Sequence, residues 1–240
     1  MAPAIFIVPG LWEGPEVFEP LKKSLEASGL TVHVSELVST GTTAAEGLTV
    51  DHDRAAIARD LAGVVERVRE DGVIVFLHSA GGFLCCDAMK GLTANDFNAM
   101  NKEGWGVRRI IFLSCAFGVE GFETKPTSTM EFSQDGYFTC TDPRDLLFND
   151  MSATDATRWT AALQVQPAGW DGFIRHCGWR EVPSLYIVLD NDRAIVREVQ
   201  EEMARLANSK VVHLDAGHMA HLTQTSEVAR IIVDATAGFL

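Results

Sequence analysis

The sequence is short of positive charge. Its 20 Lys and Arg stand against 33 Asp and Glu, a formal net charge of −13, and no basic run offers a local exception. Such a surface repels phosphate backbones and anionic headgroups, so neither nucleic acid nor a membrane is expected as a partner. Apolar stretches of bilayer-spanning length are missing too. The first residues, MAPAIFIVPGLW, carry neither a basic nor a long apolar leader and read at once as a strand and loop. The expectation is a cytoplasmic protein. Cysteines are few and odd in number (Cys85, Cys86, Cys115, Cys140 and Cys177), with no CxxC or zinc-like spacing. They are expected as small buried hydrophobes rather than a disulfide framework. The turn at Pro9-Gly10 lacks the Gly-x-Gly-x-x-Gly spacing that dinucleotide binding needs, and there is no phosphate loop or metal-ligand cluster. No cofactor and no metal are expected.

What is present is a rhythm of short apolar runs and amphipathic stretches, in a chain whose 240 residues are 47% hydrophobic and suffice for one sizeable core. Ala4–Val8, Leu30–Val34, Val73–Leu77, Val107–Ser114, Leu185–Leu189 and Val211–Leu214 read as strands. Helical periodicity marks Phe18–Ser28, Asp51–Glu70, Phe83–Met89, Ile195–Leu206 and Glu227–Thr236. Strands that alternate with helices imply an α/β fold with a mostly parallel sheet covered on both faces. The rhythm breaks between Gly118 and Val182, where TKPTSTMEFSQDGYFTC suggests a small hairpin and Thr154–Leu163 a helix. The division expected is a first core part (1–117), a cap insertion (118–182) and a second core part (183–240).

The chemistry gathers at strand ends. In VIVFLHSAGG a strand delivers Ser79 into a tight turn, and a helix starts at once. Ala80 and Gly81 give the turn room, and the helix N-terminus favours developing negative charge. A hydroxyl needs a base, and His218 in VVHLDAGHMAH follows a strand across a glycine-containing loop, with His221 as its rival. A third group must fix the imidazole tautomer. LYIVLDNDRAI offers Asp190 and Asp192, both just beyond a strand. At the end of the first strand, the amides of VPGLW lie near the same edge. Leu11 and Ala80 are the expected oxyanion donors.

These segments resemble the α/β-hydrolase superfamily over essentially the whole chain, in particular the small cofactor-free esterase-like branch that includes hydroxynitrile lyases and methyl-ester hydrolases. HSAGG matches the nucleophile elbow, DAGHMAHL the histidine loop and DNDRAI the acid loop. The resemblance implies Ser79 as nucleophile, His218 as base and Asp192, rather than Asp190, as the acid. Two departures stand out: Leu77 replaces the first elbow glycine, and Pro9 stands where histidine is usual in the oxyanion loop.

The function implied is hydrolysis of a carboxylic ester, lactone or thioester of a small, apolar or aromatic molecule through an acyl-enzyme. Acyl transfer, lactone formation and C–C bond cleavage are compatible with the same residues. Hydroxynitrile-lyase chemistry is disfavoured, because Pro9 and Leu11 offer no hydroxyl at the oxyanion site. A non-catalytic ligand-binding protein of this fold is the remaining alternative. Trp12, His78, Trp159, Trp170 and Phe173 are the residues expected to contact substrate. A homodimer is left open.

Overall fold

The computed structural model describes residues 2–170 and 172–238. Eleven strands are found among them: β1 (Ala4–Val8), β2 (Val32–Val34), β3 (Val73–Ser79), β4 (Val107–Cys115), β5 (Glu123–Thr124), β6 (Met130–Phe132), β7 (Tyr137–Cys140), β8 (Gln166–Pro167), β9 (Gly172–Phe173), β10 (Ser184–Leu189) and β11 (Lys210–Leu214). The helices are α1 (Glu19–Ala27), α2 (Val50–Val68), α3 (Gly81–Ala88), α4 (Ala94–Ala99), α5 (Pro143–Leu146), α6 (Ala153–Ala162), α7 (Arg197–Leu206), α8 (Ala220–Thr223) and α9 (Thr225–Thr236).

Six strands form one sheet in the order β11-β10-β4-β3-β1-β2, and every pairing in it is parallel. Because β1, β3 and β10 are buried along nearly their whole length, their sequences are continuous apolar runs and not alternating ones. Helix α1 packs against α9, and α2 against α3, so the sheet is covered on both faces. A parallel sheet points all its strand C-termini to one edge, where ligands bind in such folds. Val8, Ser79, Cys115, Leu189 and Leu214 end there.

Glycines let α3 approach that edge. A Cβ on Gly81 would lie 2.8 Å from the carbonyl oxygens of Val8 and Pro9, and one on Gly82 would lie 2.4 Å from that of Ala116. The Gly-Gly pair therefore allows α3 to start wedged between the ends of β1 and β4.

The chain from 118 to 182 stays out of the main sheet. It forms a three-stranded antiparallel sheet (β6-β7-β8), a two-stranded pair (β5-β9) and helices α5 and α6. The β6–β7 pair is the hairpin that the sequence suggests. A buried polar clamp fastens this segment to α2. Asp53 on α2 accepts hydrogen bonds from the Ser39 amide (2.9 Å), the Ser39 hydroxyl (2.6 Å) and Trp170 Nε1 (2.9 Å). Burial raises the Asp53 pKa above the usual carboxylate range, with the Ser39 and Trp170 hydrogen bonds opposing it.

Candidate active site

Ser79 ends β3 with φ at +51°, a left-handed conformation rare for a residue with a side chain. Trp12 (φ +68°) and Ser114 (φ +39°) share this feature at the same sheet edge. Strained backbone of this kind collects where surrounding structure holds a functional geometry. At Ser114 the cause is visible in the pairing. His78 aligns with Leu113, but Ser79 aligns with Cys115, so Ser114 is the extra residue of a bulge. The bulge turns its hydroxyl toward the acid.

Asp192, in the loop after β10, is almost fully buried and surrounded by donors. Its Oδ1 accepts from the amides of Ala194 (2.8 Å) and Ile195 (3.0 Å), and its Oδ2 from His218 Nδ1 (2.8 Å) and the Ser114 hydroxyl. Burial alone would raise its pKa, but His218, Ser114 and the amide of Ile195 outweigh it and hold the carboxyl below its ordinary value. For His218, burial opposes the charged form, and the Asp192 carboxylate, helped by Glu13, overcomes it and raises the pKa.

This geometry sets the tautomer. With Nδ1–H donating to Asp192, the neutral ring keeps Nε2 as its acceptor. Ser114 Oγ lies 3.3 Å from Nδ1, the nitrogen that already carries hydrogen, and its own proton goes to Asp192. Ser114 therefore supports the acid rather than being poised to lose a proton to the base. Among the described residues, neither His218 Nε2 nor Ser79 Oγ makes a hydrogen bond within the protein.

The two alternatives left open by the sequence now separate. Asp190 accepts from His213 Nδ1 (2.9 Å) and lies 3.5 Å from Arg197, on the partly exposed outer side of the strand ends. His221 is buried, stacks on Phe18 at 4.4 Å and has no hydrogen-bond partner for either ring nitrogen among the described residues. Burial, then the neighbouring His78 and His218, push its pKa well below the ordinary value. It has no acid to orient it.

Beside Ser79 opens an apolar cavity of about 310 Å³. Leu11, Ala80 and Phe83 form its core side, and Phe122, Met130, Phe138 and Trp170 are prominent on the opposite wall. Lys125 is the charged group in the lining, and its ammonium lies 3.6 Å from Glu123. Among the described residues the Leu11 and Ala80 amides donate no hydrogen bond within the protein. Gly10 is where backbone and nucleophile touch: a Cβ there would meet Ser79 Cβ at 2.6 Å and Ser79 Oγ at 3.2 Å.

The residues expected to contact substrate divide. Trp170 lines the cavity. Trp12 is buried behind it, edge-on to Phe138 at 6.1 Å. Three others do not line this cavity. His78 is fully buried and held by Glu13 and the His218 carbonyl oxygen. Trp159 lies half-buried beneath the Arg158 guanidinium and borders a separate polar depression with Asp150 and Thr223. Phe173 is 51% exposed at the β5–β9 pair and is not part of the cavity lining. Aromatic type alone does not reveal which way a side chain faces in an insertion with little regular structure. Ser114 and Glu13 escaped the sequence reading. Their only signals are a hydroxyl at the end of the apolar run IIFLS and a carboxylate inside the first loop.

The chain belongs to the alpha/beta hydrolase family, whose model matches residues 5–231. Fold and site together fit a serine hydrolase: His218 is anchored by Asp192, and Ser79 stands at the turn into α3 on the same sheet edge. Among proteins of known sequence it is similar to the alpha/beta hydrolase nvfD of Aspergillus novofumigatus, at 27% identity over 98% of this chain and 97% of that one. Among solved structures it is similar to a pyrethroid hydrolase from Sphingobium faniae (TM-score 0.71, 19% identity, covering 99% of this chain and 98% of that one). A methylesterase from Arabidopsis gives a TM-score of 0.72 at 16% identity, covering 99% of this chain and all (100%) of that one.

Proposed function

We propose that Ser79 is the nucleophile of a carboxylic-ester hydrolase whose substrate places a small apolar or aromatic group in the cavity beside it. The observation that carries this is the placement of Ser79. It stands on a left-handed turn between β3 and α3, beside a cavity bordered by two unengaged amides, at the edge where His218 is anchored by Asp192.

In the reaction, His218 Nε2 takes the Ser79 proton as Oγ adds to the ester carbonyl. The Leu11 and Ala80 amides receive the oxyanion, with the N-terminus of α3 adding its partial positive charge. The tetrahedral intermediate collapses as His218 protonates the departing alcohol. Water, deprotonated by the same nitrogen, then releases the acid and restores Ser79. Asp192 remains ionised throughout and stabilises the imidazolium. That relatives of the same fold are named for pyrethroid and methyl-ester hydrolysis supports an ester over an amide substrate.

The test is covalent. A fluorophosphonate probe should add one label per chain, and peptide mass spectrometry should place it on Ser79. Ser79→Ala should abolish labelling and lower p-nitrophenyl acetate hydrolysis by at least ~1000-fold, with the circular dichroism spectrum unchanged. Ser114→Ala should label more slowly but still at Ser79. A label on Ser114 would sink the assignment.

A further inference from the structure

Behind the first acid–histidine pair lies another. Glu13, in the loop after β1, is buried, and its carboxylate lies 2.8 Å from His78 Nδ1. On the far side of that ring, Nε2 lies 3.1 Å from the backbone carbonyl oxygen of His218. The same carboxylate accepts the Gly10 amide at 2.6 Å. One chain of hydrogen bonds thus runs from the oxyanion loop, through Glu13 and His78, to the main chain of the catalytic histidine.

We propose that Glu13 and His78 are positioning residues for this site: they tie the oxyanion loop to the His218 loop and keep the surroundings of Ser79 electrically neutral. The inference rests on the reading of Ser79 as nucleophile.

The neutrality follows from counting protons. A carbonyl oxygen only accepts, so His78 Nε2 carries a hydrogen. A carboxylate facing a bare Nδ1 lone pair at 2.8 Å would be repulsive, so a proton lies between Glu13 and His78. Wherever it sits, the two residues together carry no net charge. This matters because Glu13 Oε2 and Ser79 Oγ both lie within 3.3 Å of the point where a Gly10 Cβ would stand. An uncompensated carboxylate there would oppose the oxyanion that forms when Ser79 attacks. The engagement of Gly10 also explains why the next amide, Leu11, is the one left for substrate. The groups facing His218 are Asp192 from the loop after β10, Ser114 from β4, His78 from β3, Glu13 from the loop after β1 and His221 from α8.

The test uses p-nitrophenyl acetate turnover and the fluorophosphonate labelling rate. His78→Gln keeps a donor for the His218 carbonyl but leaves Glu13 unneutralised, so kcat should fall about 10- to 100-fold with KM within about two-fold. The double variant Glu13→Gln/His78→Gln removes the stranded charge and should be faster than His78→Gln alone, an order that loss of structure would not produce. Glu13→Ala should be slow, and Glu13→Gln, which can still accept from Gly10 and donate to His78, should recover most of the rate. If His78→Gln does not fold, the two Glu13 variants decide the matter. Wild-type kcat in His78→Gln, a double variant slower than the single one, or equal rates in Glu13→Ala and Glu13→Gln would overturn the proposal. The wild-type protein is the control: failure to label Ser79 there would refute the nucleophile itself, whereas normal labelling with insensitive variants would refute only the Glu13–His78 pair.

Discussion

Two aspartates two residues apart do different work because the strand end turns one inward and the other outward. Asp192 meets backbone amides, a hydroxyl and an imidazole, whereas Asp190 meets His213 and Arg197 near solvent. Asp192→Asn keeps the shape but presents an amide N–H to one of those donors, so His218 favours the wrong tautomer. The expected loss in kcat is about 10⁴-fold. Asp190→Asn should change kcat by less than about two-fold, because exposed ion pairs contribute at most about 1 kcal/mol. Stopped-flow acylation rates for the two variants check this, and comparable losses in both would refute the division. The pH profile has a definite sign. His218 must be neutral to accept the proton, and Asp192 raises its pKa, so the acid limb of kcat/KM should have its midpoint above the ordinary histidine value of about 6.5. In Asp192→Asn that limb should move to lower pH.

Elements with strong periodicity were legible in the sequence, and elements built by tertiary contact were not. The apolar runs of β1, β3 and β10 need no partner to be recognised, since only a strand buried on both faces tolerates them. Helix α2 shows its buried stripe in the spacing of Ile57, Leu61, Val64 and Val65. By contrast, β5 and β9 are two residues each and lie far apart in the chain, so nothing local announces them. Helix α4 is short, and its one local signal is the capping box of Thr93 and Asp96. Ser79, Asp192 and His218 were legible as candidates because Ser79 ends its apolar strand and the other two lie in the short loops just after theirs. The cavity wall was not, since it depends on how the segment from 118 to 182 folds back. The Asp53–Trp170 clamp tests what holds that wall. Trp170→Phe removes a donor from a buried carboxylate and should cost about 1–3 kcal/mol in urea unfolding. The Trp170 hydrogen bond favours the ionised form of Asp53, whose pKa burial raises. The loss should therefore be larger at neutral pH, where Asp53 is ionised to a greater extent, than at acid pH, where more of it binds a proton. An equal loss at both values would mean that the indole contributes only its packing.

At the scale of the molecule, the site is assembled from the ends of five strands spread across the chain, and the chain as a whole is strongly negative. A net charge of −13 on a chain of this size lowers the local concentration of any anionic substrate and leaves neutral esters unaffected. The cavity itself does little to reverse this. Its lining is mainly apolar, and Lys125, its charged group, has Glu123 beside it. Salt should then discriminate between substrates. Raising the ionic strength from about 0.01 M to about 0.15 M shortens the screening length from about 30 Å to about 8 Å. Over that range kcat/KM for a half-ester with a free carboxylate should rise several-fold, while that for a neutral ester of matched alcohol and chain length stays flat. Because the repulsion acts on approach and binding, the change should appear in KM, and kcat should hold constant. An anionic ester preferred at low salt would show instead that Lys125 dominates the field at the cavity. Lys125→Gln would confirm that by reversing the preference.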